Sequence, residues 1–238
     1  MMSLPIFYID QDHFDDDLLT LSEETSKHVV QVLRMKEGAR LHLTNGKGLL
    51  LTVSITEAHK KKTLVKITDR NQATTSERKI CIAISLLKNP SRLEWFLEKA
   101  AELGVYQIIP LLCERTEKMQ FRKDRAQQIL ISAMLQSRQT FLTHLHDPVK
   151  TEAFFRSDLI ATFDQKWIAH CEEGNKRMVS EVAAVGKNII MLIGPEGDFT
   201  EKEISDAIRQ GFQPVSLGNT RLRTETAALT AAAFLCIQ

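Results

Sequence analysis

The sequence is short of the residues that build stapled or loop-rich proteins. Its 238 residues include 6 prolines, 10 glycines and 4 cysteines. Cys81, Cys113, Cys171 and Cys236 lie far apart, with no C-x-x-C pair. That argues against a zinc ribbon and a disulfide framework, and fits a reducing, cytoplasmic setting. Net charge is nearly absent, with 31 basic against 30 acidic side chains. Any surface for nucleic acid must then be local. No apolar run approaches a membrane span. The start, Met1 to Phe7, lacks the basic n-region and apolar core of a signal peptide. There is no metal-ligand spacing, no internal repeat and no low-complexity tract. What remains is an ordinary globular composition, 43% hydrophobic.

The rhythm of the chain changes once. Residues 1–72 read mostly as β. Ile6–Ile9 is a first strand, Ala39–Leu43 and Leu50–Ile55 alternate, Asn45-Gly46 marks a hairpin, and Thr63–Thr68 follows. Ser22 opens a helix carrying His28, Val29, Val32, Leu33 and Met35 at helical spacing, closed by Gly38. The polar stretch from Asn71 to Arg78 is a linker. Beyond it strands alternate with helices, which predicts a mostly parallel sheet covered on both faces. The predicted strands are Lys79–Leu87, Tyr106–Leu112, Asp158–Phe163, Asn188–Ile193 and the short Pro214–Ser216. The predicted helices are Leu93–Leu103 (with Ser91 and Glu94 as a capping box), Arg122–Gln139, Asn175–Val185, one opened by Thr200 and Glu203, and one from about Glu225 to Ile237. The last is apolar nearly all round, which suggests packing against a second subunit as well as its own sheet.

Two loops near the C-terminus carry the chemistry. Ile193-Gly194-Pro195-Glu196-Gly197-Asp198-Phe199-Thr200 follows one buried-type strand, and Leu217-Gly218-Asn219-Thr220-Arg221-Leu222-Arg223-Thr224-Glu225-Thr226-Ala227 follows another. In α/β proteins ligands sit outside the carboxyl ends of strands. If the strands are neighbours, the two loops form one backbone-lined pocket. Neither G-x-x-x-x-G-K-[ST] nor G-x-G-x-x-G is present, so the pocket suits an adenosine-like ligand without a triphosphate. Alone, the first loop also reads as a tight strand-to-helix connection. Arg221, Arg223 and Glu225 at a buried strand end favour a ligand or partner, because unpaired charge is costly there.

Together the loops resemble the second and third motifs of the SPOUT superfamily of S-adenosylmethionine methyltransferases. Within it they are most similar to the RsmE family, which methylates N3 of a uridine in 16S ribosomal RNA. That family's pattern is close to I-G-P-E-G-G-[FL]-[ST] and L-G-x-R-I-L-R-x-E-T-A. Other pieces agree in order: His28 with Val32-Leu33-Arg34, Asn45-Gly-Lys-Gly48, Lys99 to Val105, Glu114-Arg115 and Gln136-Ser137-Arg138. Asp198 departs from the second family glycine, and Thr220 stands where arginine is usual, with Arg221 beside it. The resemblance implies an α/β protein: a PUA-like, RNA-binding β-barrel over 1–72, then a SPOUT methyltransferase domain over 73–238. The latter would hold a parallel sheet and a trefoil knot, bind S-adenosyl-L-methionine and form a homodimer.

It also implies site residues. Arg223 is the choice for stabilising charge on a uracil oxygen. Glu196 or Glu225 serves as base or orients the cofactor. Cofactor contacts fall on Ile193, Gly194, Pro195, Glu196, Gly197, Leu217, Gly218, Leu222, Arg223 and Thr226, largely through backbone groups. Arg34, Lys36, Arg115 and Arg138 are candidates for binding RNA of the small ribosomal subunit. Lys60–Lys62, Lys118, Arg122 and Lys123 read equally as solvated surface, and His28 as a packed residue. No metal and no membrane are implied. The rival readings are a methyltransferase for transfer RNA or a ribose 2'-hydroxyl, a non-catalytic RNA-binding ribosome assembly factor, and an adenine-nucleotide binder of another α/β family.

Overall fold

The computed structural model describes residues 4–14, 16–117, 120–172, 174, 176–182 and 186–237. The chain divides into two compact units, Met1–Thr75 with Met134–Leu142, and Ser76–Ala133 with Thr143–Gln238.

In the first unit, β1 (Ile6–Tyr8), β2 (Leu18–Thr20), β3 (Arg40–Thr44), β4 (Leu49–Glu57) and β5 (Leu64–Gln72) form one sheet in the order β1-β3-β4-β5-β2. Its pairings are antiparallel except β1 with β3. Alternation explains the core: Leu41, Leu43, Leu51, Val53, Ile55, Val65 and Ile67 all point to one buried side. The Asn45-Gly46 turn joins β3 to β4 as expected. Gly46 sits at φ +71°, and the Asn45 Oδ1 accepts from the Lys47 N–H at 2.9 Å. Helix α1 (Glu23–Lys27) is capped by the Ser22 hydroxyl, which accepts from the Thr25 N–H. It then widens into a π-helical turn over His28–Val32. The wider turn breaks the spacing on which the predicted apolar stripe depended. Val29 is fully buried, but Val32 is 65% exposed and Leu33 42%. His28 is exposed and meets the Phe7 ring edge-on. Lys60–Lys62 form the exposed tip between β4 and β5.

The second unit holds a sheet whose pairings are all parallel. Its strands are β6 (Lys79–Ser85), β7 (Gln107–Leu112), β8 (His144–Leu145), β9 (Val149–Lys150), β10 (Gln165–Ala169), β11 (Arg177–Met178), β12 (Asn188–Ile193) and β13 (Gln213–Ser216). They run β11-β13-β10-β12-β6-β7-β8, with β9 also against β7. The apolar runs predicted as doubly covered strands, β6 and β12, lie side by side at the centre. Pro110 interrupts no pairing: β8 pairs with Gln107 and Ile108, β9 with Leu111 and Leu112, and the proline, lacking an N–H, faces the gap between them.

Three local expectations are corrected. Helix α2 (Pro90–Glu102) starts at Asn89, whose side chain accepts from the Ser91 N–H, with Pro90 in the first turn. A fixed φ at that position pre-forms the turn, so the Ser91–Glu94 capping box is not used. Residues Asp158–Thr162 form a 3-10 turn, not a strand. The true strand, β10, begins just beyond them. Its apolar predecessors Ile160 and Phe163 pack into the core as a turn would. Where a helix was expected over 175–185, the chain has β11 and a 3-10 turn at Val179–Glu181; Asn175 and Ala183–Val185 lie outside the described residues.

Of the remaining helices, α3 spans Lys123–Gln136 and α4 Thr151–Phe155. Helix α5 (Glu201–Arg209) has the predicted Thr200–Glu203 capping box and buries Ile204 and Ala207. Helix α6 (Thr224–Cys236) packs against α2, β6 and β12. Its N-cap is Arg223.

Candidate active site

The carboxyl ends of three strands are level. Ala169 at the end of β10 pairs with Ile193 of β12 on one side and Val215 of β13 on the other. The two loops singled out from the sequence therefore do not leave adjacent strands. β10 stands between them, and its own exit loop supplies a third wall. Together the three loops and the start of α6 enclose a cavity of about 580 Å³, within the range of small-molecule pockets.

The predicted residues Ile193, Gly194, Pro195, Glu196, Leu217, Gly218, Leu222 and Arg223 line it. Gly197, Glu225 and Thr226 are not among the lining residues. The Gly197 carbonyl faces Arg115, whose guanidinium donates to it at 2.8 Å. Thr226 is exposed on the first turn of α6. Glu225 is buried, 3.6 Å from the Nε of Arg92, and its Oε2 has no hydrogen-bond partner among the described residues. The residues that sequence reasoning missed are chiefly His170, Cys171 and Lys176 after β10, with Asp198 and Asn219, while Arg221, singled out for its charge, also lines the cavity.

Each loop has a local reason for its path. A Cβ on Gly194 would lie 3.0 Å from the buried Phe199 ring and 3.1 Å from its backbone nitrogen, so only glycine lets the loop double back so closely. Gly218 adopts φ +144°, and its N–H and carbonyl are both tied to the Ser216 hydroxyl. Asp198, at the family's glycine position, takes φ +64°. Aspartate tolerates that left-handed conformation better than most residues. Its carboxylate is then used twice, accepting from the Cys171 N–H at 2.6 Å and from the Phe199 N–H at 2.8 Å. The departure thus links the β10 wall to the β12 wall.

Behind the β12 loop lies a second linkage. The Glu203 carboxylate, 6% exposed, accepts from the Glu114 N–H at 3.0 Å, the Thr151 hydroxyl at 2.7 Å and the Thr200 N–H at 2.9 Å. Glu114 precedes Arg115, which holds Gly197. Glu196 points its Oε1 at the Lys88 N–H, 3.1 Å away. Burial first, then Asp198, pushes the Cys171 thiol above its ordinary pKa. Burial and Lys176 hold His170 below its own. Among the described residues no group of His, Cys, Asp or Glu is arranged to hold a metal ion.

The other predicted cations lie elsewhere in the chain. Arg34 and Arg138 belong to the first unit and share a left-handed backbone, at φ +53° and +59°. Lys36 is exposed in that unit. Lys118 lies outside the described residues.

A parallel sheet with glycine-hinged loops around one cavity at its carboxyl end is the setting in which α/β proteins bind nucleotide-type ligands, and related proteins are of that class. The chain belongs to the RNA methyltransferase domain family, whose model matches residues 74–236, and residues 21–68 match the family's PUA domain. Among solved structures it resembles a probable rRNA-methyltransferase from Porphyromonas gingivalis, at 34% identity and TM-score 0.88, covering 99% of this chain and 100% of that one. It also resembles a proposed methyltransferase from Legionella pneumophila in complex with the bound cofactor SAM, at 32% identity and TM-score 0.85, covering 98% and 97%. Ribosomal RNA small subunit methyltransferase E of Bacillus subtilis is 26% identical over 232 residues, 92% of this chain and 90% of that protein.

Proposed function

We propose that this chain transfers a methyl group from S-adenosyl-L-methionine to N3 of one uridine in 16S ribosomal RNA, acting on the assembled small subunit in the cytoplasm. The observation that carries the reading is the cavity at the level ends of β10, β12 and β13. Its apolar residues Ile193, Val215, Leu217 and Leu222 suit an adenosine and a thioether, and its hinged backbone offers polar groups at fixed positions. The relatives named above support the cofactor and the ribosomal substrate. When bound, the cofactor supplies a methyl group activated on a positively charged sulfur.

The protein's own residues have defined tasks. Ile193, Gly194, Pro195, Leu217, Gly218 and Leu222 hold the cofactor, and Gly197 shapes the loop through Arg115. N3 lies on the Watson–Crick edge, so the uracil must be unpaired or turned out of its stack. Its imide proton has to leave as the N–CH3 bond forms and the S–CH3 bond breaks. Arg223 stabilises negative charge on a uracil oxygen during that exchange. Glu196, exposed at the cavity's rim, is better placed than the Arg92-paired Glu225 to accept the proton. Alignment of sulfur, methyl and nitrogen supplies much of the rate.

Arg34, Lys36 and Arg138 on the PUA unit, with Arg115, contact RNA phosphates. The protein is a homodimer: Leu229, Phe234 and Cys236 of α6 are only half-buried in one chain, and Ile237 is 73% exposed. The trefoil knot of the SPOUT superfamily is part of the same reading. No metal takes part. The test is methyl transfer from tritiated cofactor to small subunits of a strain lacking the gene, followed by nucleoside analysis. N3-methyluridine at one site is expected. Label in a ribose, in transfer RNA or in no RNA would overturn the assignment.

A further inference from the structure

The third wall of the cavity contains a side chain with unmet hydrogen-bonding capacity. His170 follows β10 directly and lines the cavity. Both of its ring nitrogens are shielded from solvent, and neither has a hydrogen-bond partner among the described residues. A neutral imidazole carries one donor and one acceptor. Leaving both dry and unpaired is costly, and such groups call for an explanation.

The backbone is held in place here, so it is rotation of the side chain about its own bonds that brings a ring nitrogen to the cavity. On one side the Cys171 N–H is held by the Asp198 carboxylate at 2.6 Å. On the other, the Lys176 ammonium donates to the His170 carbonyl at 2.8 Å and to the Glu172 carbonyl at 2.6 Å. The loop is thus pinned just after the histidine by charged side chains, and β10 ends just before it at Ala169. A ring of merely structural value could be apolar at lower cost, since the same volume would then carry no unpaired nitrogen.

We infer that His170 is a cofactor-binding residue, one of whose ring nitrogens hydrogen-bonds a polar group of S-adenosylmethionine, with Asp198 and Lys176 as the residues that position it. This rests on the cofactor reading above. A ligand in the cavity satisfies the ring once it turns, so the cost of the unpaired nitrogens is removed on binding.

The test is calorimetry of S-adenosylhomocysteine with the full-length wild type, His170→Leu and His170→Asn, alongside thermal unfolding of each without ligand. His170→Leu should weaken binding about tenfold or more, the size of one lost hydrogen bond to a group left unpaired on the ligand. Its Tm without ligand should equal or exceed that of the wild type. His170→Asn, which keeps a donor and an acceptor, should bind more tightly than His170→Leu. Wild-type affinity in His170→Leu overturns the inference, and so does a loss of affinity accompanied by a fall in ligand-free Tm. No binding by the wild type overturns the cofactor reading instead.

Discussion

Replacing Glu203 by glutamine probes the structure behind the β12 loop. Each carboxylate oxygen serves a backbone N–H, Glu114 on Oε1 and Thr200 on Oε2. A glutamine has one oxygen and one NH2, so whichever way it turns, one part-buried N–H faces another donor. Leaving such a group unsatisfied costs ~1–3 kcal/mol, and the surviving bonds lose their charge assistance, giving about 2–4 kcal/mol in total. At about 2–4 °C per kcal/mol for a chain of this size, the Tm should fall by about 4–16 °C. Differential scanning calorimetry measures it, with Glu201→Gln, exposed on the same helix, as the control. Affinity for S-adenosylhomocysteine should fall as well, because Thr200 and the Glu114–Arg115 pair together hold the loop from Gly194 to Phe199. A Glu203→Gln protein as stable as the control would refute the reasoning.

Three further outcomes are expected. Gly194→Ala puts a methyl group 3.0 Å from a buried ring and should destabilise by about 1–3 kcal/mol, read in urea; full stability would mean that the loop is not held against Phe199. Arg34→Gly relieves a left-handed backbone and should raise stability by up to about 1 kcal/mol, while small-subunit binding weakens and its salt dependence drops by about one counterion; unchanged binding would remove Arg34 from the RNA surface. His170 and His146 both sit below the ordinary value of 6.5, first through burial. Lys176 adds to this at His170 against Asp198 and Glu172, and His144 and Lys123 add at His146 against Asp147. The unfolded chain therefore takes up these protons first, so stability is full above 6.5 and is lost as pH falls through the lowered folded values. Urea midpoints should drop between about pH 7 and about pH 5, and less steeply in His170→Leu; an identical slope would contradict the assignment.

The two central strands were legible because β6 and β12 are apolar on both faces and end at turn signals. Helix α5 was legible because its cap is local chemistry, Thr200 answering Glu203. Strand β10 was not. Its first residues, Gln165 and Lys166, are polar, while the preceding Leu159 to Phe163 is the more apolar stretch and competes for the strand assignment. With β10 misplaced, its exit loop could not be seen as a wall of the cavity, and His170 and Lys176 went unnoticed. The π-helical turn at His28–Val32 was hidden for a different reason, since periodicity analysis assumes the α-helical spacing. Asp198 was visible as a departure from a family pattern, but its use as a link between two loops needed the fold.

The central claim is that the three strand-end loops hold an S-adenosyl cofactor. A crystal structure of the full-length protein soaked with S-adenosylhomocysteine tests it most directly. The account predicts density for the ligand between Gly194, Gly218 and His170; a clear map with that cavity vacant, or the ligand seated elsewhere, would contradict it.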